Sequence, residues 1–173
     1  MQHITPEQIK AHFHMIPLQG EGGVFCQTYI SDEILPGAVI PGRDGEHTIC
    51  SAILYLLSGN TFSRMHRLPS EEIFHFYMGD PVEMLQLYPD GTGRVVRMGQ
   101  NILDGETVQT TVPRGAWQGT RLVPGGKWAL LGTCMAPGYC ARDYEDGDLK
   151  KLLAQYPAHA ELLRVLAGPP SYS

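Results

Sequence analysis

Residues 61–79, TFSRMHRLPSEEIFHFYMG, constrain the fold more than any other part of this chain. They read as a short strand ending in His66, a tight Pro-Ser loop, and a second strand that opens on Glu71-Glu72 and runs through His75. A second segment, Pro113-Arg114-Gly115-Ala116-Trp117-Gln118, is a Pro-x-Gly turn that delivers a polar side chain three residues after its glycine. Two strands and a turn that gather an imidazole, a carboxylate and an amide point to a small β-barrel with a polar site in an apolar interior.

The rest of the chain supports that picture. From Thr48 to Pro137 strand follows short strand, and the 20 glycines and 13 prolines of the chain supply the turns. Residues 49–57 are apolar enough to be buried on both faces. Pro89-Asp90-Gly91-Thr92-Gly93 has hairpin-turn residues. Strands at this spacing predict a sandwich or barrel. Thr5-Pro6-Glu7-Gln8 predicts a short N-terminal helix, with Thr5 as cap and Gln8 closing a capping box. Residues 31–47, with Pro36, Gly37, Pro41, Gly42, Asp44 and Gly45, predict a long loop or hairpin tip. Near residue 148 the apolar period changes from two to about 3.6. Leu149, Leu152, Leu153 and Tyr156 form one helical stripe and Leu162, Leu163 and Leu166 another, broken at Pro157 and stopped by Gly168. Two helices packed outside the barrel follow.

Composition excludes several function classes. The 13 basic residues are scattered and the formal charge is −5, so nucleic acid is not an expected partner. There is no apolar run of membrane-spanning length, and MQHITPEQIK is too polar for a signal peptide. The expectation is a soluble cytoplasmic protein without a membrane partner. Cys26, Cys50, Cys134 and Cys140 form no Cys-x-x-Cys pair and sit at no zinc spacing to a histidine. They read as buried inert thiols, not disulfide partners.

Strand parity sorts the candidate side chains. It groups Phe62, Arg64 and His66 on one face of their strand. Glu72 opens the next strand, close enough across the loop to meet His66; a carboxylate facing a barrel interior must be paired, protonated or metal-bound. Along that strand Glu72, Phe74, Phe76 and Met78 share a face, and Ile73, His75 and Tyr77 take the other. His75 is therefore outside the pocket unless a bulge resets the phase.

His66, Glu72 and Gly79, followed by Pro113-x-Gly115 and Gln118, resemble the two-part signature of the cupin superfamily. Leu68 stands at the place of the second signature histidine and Gln118 at that of the third. Leu is no metal ligand and a Gln amide is a weak one. No cofactor is expected on that ground. If a divalent transition metal is present, its ligands would be His66, Glu72, His75 and Gln118. The blocks EGGVFCQTY, SAILYLL, MHRLPSEEIFHFYMGDPVEM, VQTTVPRGAWQG, GTCMAPGY and LLAQYPAHAELL look like the single-domain cupin family of unknown function often labelled predicted sugar epimerases. This resemblance implies a mainly β, RmlC-like double-stranded β-helix, or jelly-roll barrel. It further implies one domain over 1–173, with the barrel about 24–140 and the C-terminal helices about 147–167. A homodimer is implied as well, and residues 24–30 are the candidate strand to add to the partner's sheet.

An epimerase must take a proton from beside a carbonyl and return it to the other face, which needs a base, an acid and a group that holds the enolate. His66 is the candidate base, Glu72 its orienting carboxylate and Tyr55 the acid. Arg64 or Arg67 would steady an oxyanion or a phosphate. Gln109 and Gln118 would hold sugar hydroxyls, and Phe74, Phe76 and Trp117 would supply apolar walls. The ligand class in view is a small polar molecule such as a sugar or nucleotide-sugar. Two alternatives stand beside this reading: a non-catalytic sensor or carrier, and a metal-dependent cupin oxygenase or isomerase.

Overall fold

The computed structural model describes residues 4–39, 43 and 45–168; Pro41, Gly42 and Asp44 of the predicted loop lie outside them. The run SAILYLLS forms strand β5 (Ser51–Ser58), with Tyr55 and Leu57 turned to the barrel core and Leu56 to an outer cluster. It sits inside a six-stranded antiparallel sheet between β2 (Val24–Ile30) and β12 (Trp128–Met135). That sheet runs on through β7 (Glu72–Gly79) to the edge strand β10 (Gln109–Val112), and the two-residue β1 (Ile16–Pro17) closes its other side.

A second sheet faces the first. Its order is β13 (Glu145–Asp146), β6 (Phe62–Arg67), β11 (Trp117–Leu122), β8 (Val82–Leu87) and β9 (Gly93–Met98). The inner faces meet in a core of Tyr55, Leu57, Phe74, Phe76, Met84 and Leu131, among others. The architecture is a jelly roll. The predicted loop at 31–47 holds a small paired element, β3 (Ile34–Leu35) with β4 (His47–Thr48), because its turn residues are flanked by apolar and β-branched ones.

Helices cover two outer faces. Helix α1 (Pro6–His12) carries the predicted cap: Thr5 and Gln8 close the capping box, and Ile9 packs against Leu56 and Leu130. Helices α2 (Leu149–Gln155) and α3 (Ala160–Leu166) lay Leu152, Leu163 and Leu166 on Met65, Leu85 and Leu87, outside the five-stranded sheet. No helix of the described residues is long and apolar enough to cross a membrane. The cysteines are free as expected, but all four are half-buried, not buried; Cys50 and Cys134 approach to 3.8 Å between sulfurs.

The departure with most consequence is in β6. Gln118 pairs with His66 and Thr120 with Ser63, so Arg64 and Met65 stand opposite the single residue Gly119. This is a β-bulge. It breaks the alternation that grouped Arg64 with His66 and turns Ser63 and His66 inward together, while Met65 joins the helix-facing cluster. A Cβ at Gly119 would lie 2.7 Å from the Met65 sulfur and 3.1 Å from the Ser63 carbonyl oxygen. Gly119→Ala is therefore expected to lower stability by about 1–3 kcal/mol, the usual range for overpacking. Denaturant unfolding checks it; a midpoint equal to that of the wild type would show that the bulge has room to spare.

Candidate functional site

The inner faces do not fill the barrel completely. At one end a cavity of about 230 Å³ remains. Leu18, Phe25, Ile53, Leu68 and Met135 line most of it, and its polar groups gather around Glu21, His66, Glu72 and Thr133.

His66 is 1% exposed and each of its ring nitrogens has a neighbour. Nδ1 lies 2.7 Å from the Arg64 carbonyl, which only accepts, so Nδ1 carries the proton. Nε2 lies 3.2 Å from the Gln118 amide nitrogen and accepts from it, which makes the ring neutral. Tyr144 stacks on the ring with centroids 5.1 Å apart. The same Gln118 nitrogen donates to Glu72 Oε2 at 2.6 Å, so one amide ties imidazole to carboxylate. Gln118 Oε1 is buried without a partner. Glu72 is also 7% exposed. Burial pushes its pKa up and the charge of Glu21 adds to this, while the hydrogen bonds from Gln118 and Thr133 oppose the rise.

Glu21 is the residue that sequence reasoning missed. It sits in the turn Gly20-Glu21-Gly22-Gly23, just before β2. The structure folds this turn over the barrel end. Glu21 Oε1 accepts from the Ser63 hydroxyl at 2.8 Å, its Oε2 lies 3.9 Å from His66 Nε2, and its carbonyl accepts from Arg64 N at 2.8 Å. The Tyr55 hydroxyl donates to the Gly22 carbonyl at 2.8 Å and holds the turn in place. Only glycine fits next to that contact: Gly23 has φ +66°, and a Cβ there would be 2.9 Å from the Tyr55 ring. The available signal was a carboxylate set among three glycines, a composition suited to close backbone approach.

The other expected site residues divide. His66, Glu72 and Tyr55 line the cavity, although the Tyr55 proton is committed to Gly22 and burial pushes its pKa well up. Gln118 stands behind His66 and Glu72. Phe74 and Phe76 face inward but belong to the packed core. Gln109 does not reach the cavity. It pairs with His75 across β10 and β7, on the outer face, and its amide lies 3.2 Å from His75 Nδ1; Thr110 and Val112 take the inward positions of β10. Trp117 packs on the helix side, under the Arg67 guanidinium at 4.6 Å. Arg67 is held by Glu145 at 2.7 and 3.0 Å, and Arg64 reaches Asp146 at 3.1 Å. Neither arginine lines the cavity.

The residues present do not fit the metal centre that the cupin signature implies. His75 points outward, where it stacks on Tyr77; the bulge of β7 against β12 comes after His75, between the partners of Leu130 and Leu131, and leaves its phase unchanged. Leu68 is an apolar wall. Gln118 turns its nitrogen, a donor, toward His66 and Glu72. Among the described residues no group of three His, Cys, Asp or Glu is placed to hold a metal ion.

Residues 7–146 match the family model described as Cupin superfamily (DUF985). A hypothetical protein from Leishmania major superposes with a TM-score of 0.85 at 24% identity, over 96% of this chain and 100% of its own. A Shewanella oneidensis protein does so with a TM-score of 0.83 at 25% identity, over 96% of this chain and 99% of its own. A cupin 2 domain-containing protein from Halorhodospira halophila shares 10% identity over 81% of each chain, with a TM-score of 0.53, which speaks to fold alone. Among curated proteins none matches the chain.

Two outcomes follow from the geometry. Tyr55→Phe leaves the buried Gly22 carbonyl without its donor and should cost about 1–3 kcal/mol in unfolding free energy, with faster proteolysis in the turn at 20–23; wild-type values for both would remove Tyr55 as the clamp. Because the Glu72 pKa is raised on folding, its contribution to stability is fully present below the ordinary carboxylate range and is lost as pH rises through the raised value. The stability of wild type relative to Glu72→Gln should therefore fall as pH is taken from acid to neutral. A difference independent of pH, followed by thermal unfolding, would contradict the assignment.

Proposed function

This chain belongs to the DUF985 family of the cupin superfamily, and on that premise we propose that it binds a small polar molecule at the barrel end and moves a proton on it without a metal. The observation that carries this reading is the pair Glu21 and Glu72 facing one largely apolar cavity beside His66. A carboxyl raised by burial and by a second carboxylate can give and take protons closer to neutral pH than an exposed one. With Glu21 in the same cavity, Glu72 has a second carboxyl group beside it, and an acid and a base are what an epimerase-type isomerase requires.

The expected role of His66 changes in this reading. Its Nδ1 proton is held by a carbonyl and its Nε2 by Gln118. It is a positioning residue, acting through Gln118 on Glu72. The cavity volume lies below the roughly 300–1,000 Å³ of pockets for drug-sized ligands. A monosaccharide-sized molecule suits it; a nucleotide carrier would have to lie outside.

A second reading, a carrier or sensor, draws on the same engaged hydrogen bonds: with the His66 and Tyr55 protons committed, the site binds without chemistry. We also propose that two copies pair along β2. Beyond Phe25 its outer edge has no strand partner among the described residues, and Tyr29 and Ile30 are exposed there. Sedimentation as a monomer at micromolar concentration would reject that pairing.

The test begins with mass spectrometry of small molecules that co-purify with the protein. The recovered compound is then incubated with protein in D2O. Solvent deuterium should enter it, and Glu72→Gln should slow this by about 10²–10⁴-fold with little change in affinity. Binding without exchange in the wild type would support the carrier and end the proton-transfer reading. Elemental analysis should find no stoichiometric transition metal; one equivalent of Fe, Mn, Ni or Zn, lost on His66→Ala, would overturn the metal-free part.

A further inference from the structure

The charges around the cavity are one-sided. Glu21 and Glu72 line it, and among the described residues no Lys or Arg does. The arginines nearby are turned elsewhere: Arg64 to Asp146, Arg67 to Glu145, and Arg43 to Asp143 and Ser70. His66 is neutral by its hydrogen bonds, so its 3.9 Å approach to Glu21 is no ion pair.

The donors that reach the two carboxylates and the turn are already engaged, while Gln27, Ser51 and Tyr139 line other parts of the wall. Ser63 donates to Glu21, Thr133 and Gln118 to Glu72, and Tyr55 to the Gly22 carbonyl. Tyr55, Tyr139 and Tyr144 are each pushed up, first by burial and next by the charge of Glu21. Carboxylates in an apolar enclosure without a cation are costly, and a further anion beside them would be more so. A cation with N–H donors relieves both deficits through charge-assisted hydrogen bonds.

We infer that the cavity takes a small organic amine in its ammonium form, its N–H groups on Glu21 and Glu72 and its apolar body against Leu18, Phe25, Ile53, Leu68 and Met135. Phosphate and carboxylate ligands are refused, which removes nucleotide-linked sugars from the substrate class. This rests on the barrel-end cavity being the ligand site.

Calorimetric titration of the full chain at neutral pH with n-pentylamine, 1-pentanol, pentanoate and inorganic phosphate tests it, because the three organic probes share one apolar body. Pentylamine should bind about tenfold or more tightly than pentanol, the worth of one charge-assisted hydrogen bond. Pentanoate and phosphate should not bind. Glu21→Gln should bring pentylamine close to pentanol and leave pentanol binding intact, which also shows that the variant is folded. Equal binding of amine and alcohol, or binding of either anion, overturns the ammonium assignment and leaves the cavity as a ligand site. Silence from every probe while deuterium exchange into the co-purified compound persists overturns the amine alone; loss of both overturns the site itself.

Discussion

The bulge of β6 against Gly119 sets the conditions for everything around it. A regular strand would send Phe62, Arg64 and His66 to one side and Ser63 and Met65 to the other. One extra residue lets a single short strand serve two incompatible neighbours. Met65 and Phe62 meet the apolar stripes of α2 and α3 outside, while Ser63 and His66 meet Glu21 and Gln118 inside. The helices and the polar cluster are thus linked through one irregularity, and a glycine opposite it supplies the space.

The polar cluster is held by few contacts, each with a distinct task. Gln118 joins His66 to Glu72 through a single amide nitrogen. The Tyr55 hydroxyl fixes Gly22, and with it the position of Glu21 over the barrel mouth. Burial raises the Glu72 pKa because neither a cation nor bulk water is there to stabilise the carboxylate. Surface arginines close in sequence do not compensate, since Glu145 and Asp146 on β13 engage them first. The result is an acceptor-rich pocket walled by apolar side chains.

This chain keeps the cupin scaffold and assigns different work to its signature positions. Leu68, where the superfamily signature has a histidine, is a wall of the cavity. Gln118, at another histidine position, is a bridge between two side chains. An amide donates to a neutral imidazole and a carboxylate at once; a metal would need their lone pairs free. Substitution at two positions thus changes the chemistry available to the barrel without disturbing its strands.

The period of the strands, the turn residues and the change to a helical stripe near 148 determined the jelly roll, the capped N-terminal helix and the two outer helices. Those features depend on local preferences and on alternation, which a sequence displays directly. Parity also placed Glu72 inward and His75 outward, because β7 stays regular from Glu72 to Phe76. Only the tertiary structure decided the rest. The β6 bulge depends on a glycine from another strand, so alternation misassigned Arg64. Gln109 faces outward because β10 takes its phase from Val112 beside Glu72, a pairing no local pattern displays. Trp117 and Arg67 went to the helix side and to β13 for the same reason. Glu21, 45 residues before His66, entered the site through a backbone turn clamped by Tyr55. Contacts between distant segments carry no periodic signal, and in this protein they chose which carboxylates face the cavity.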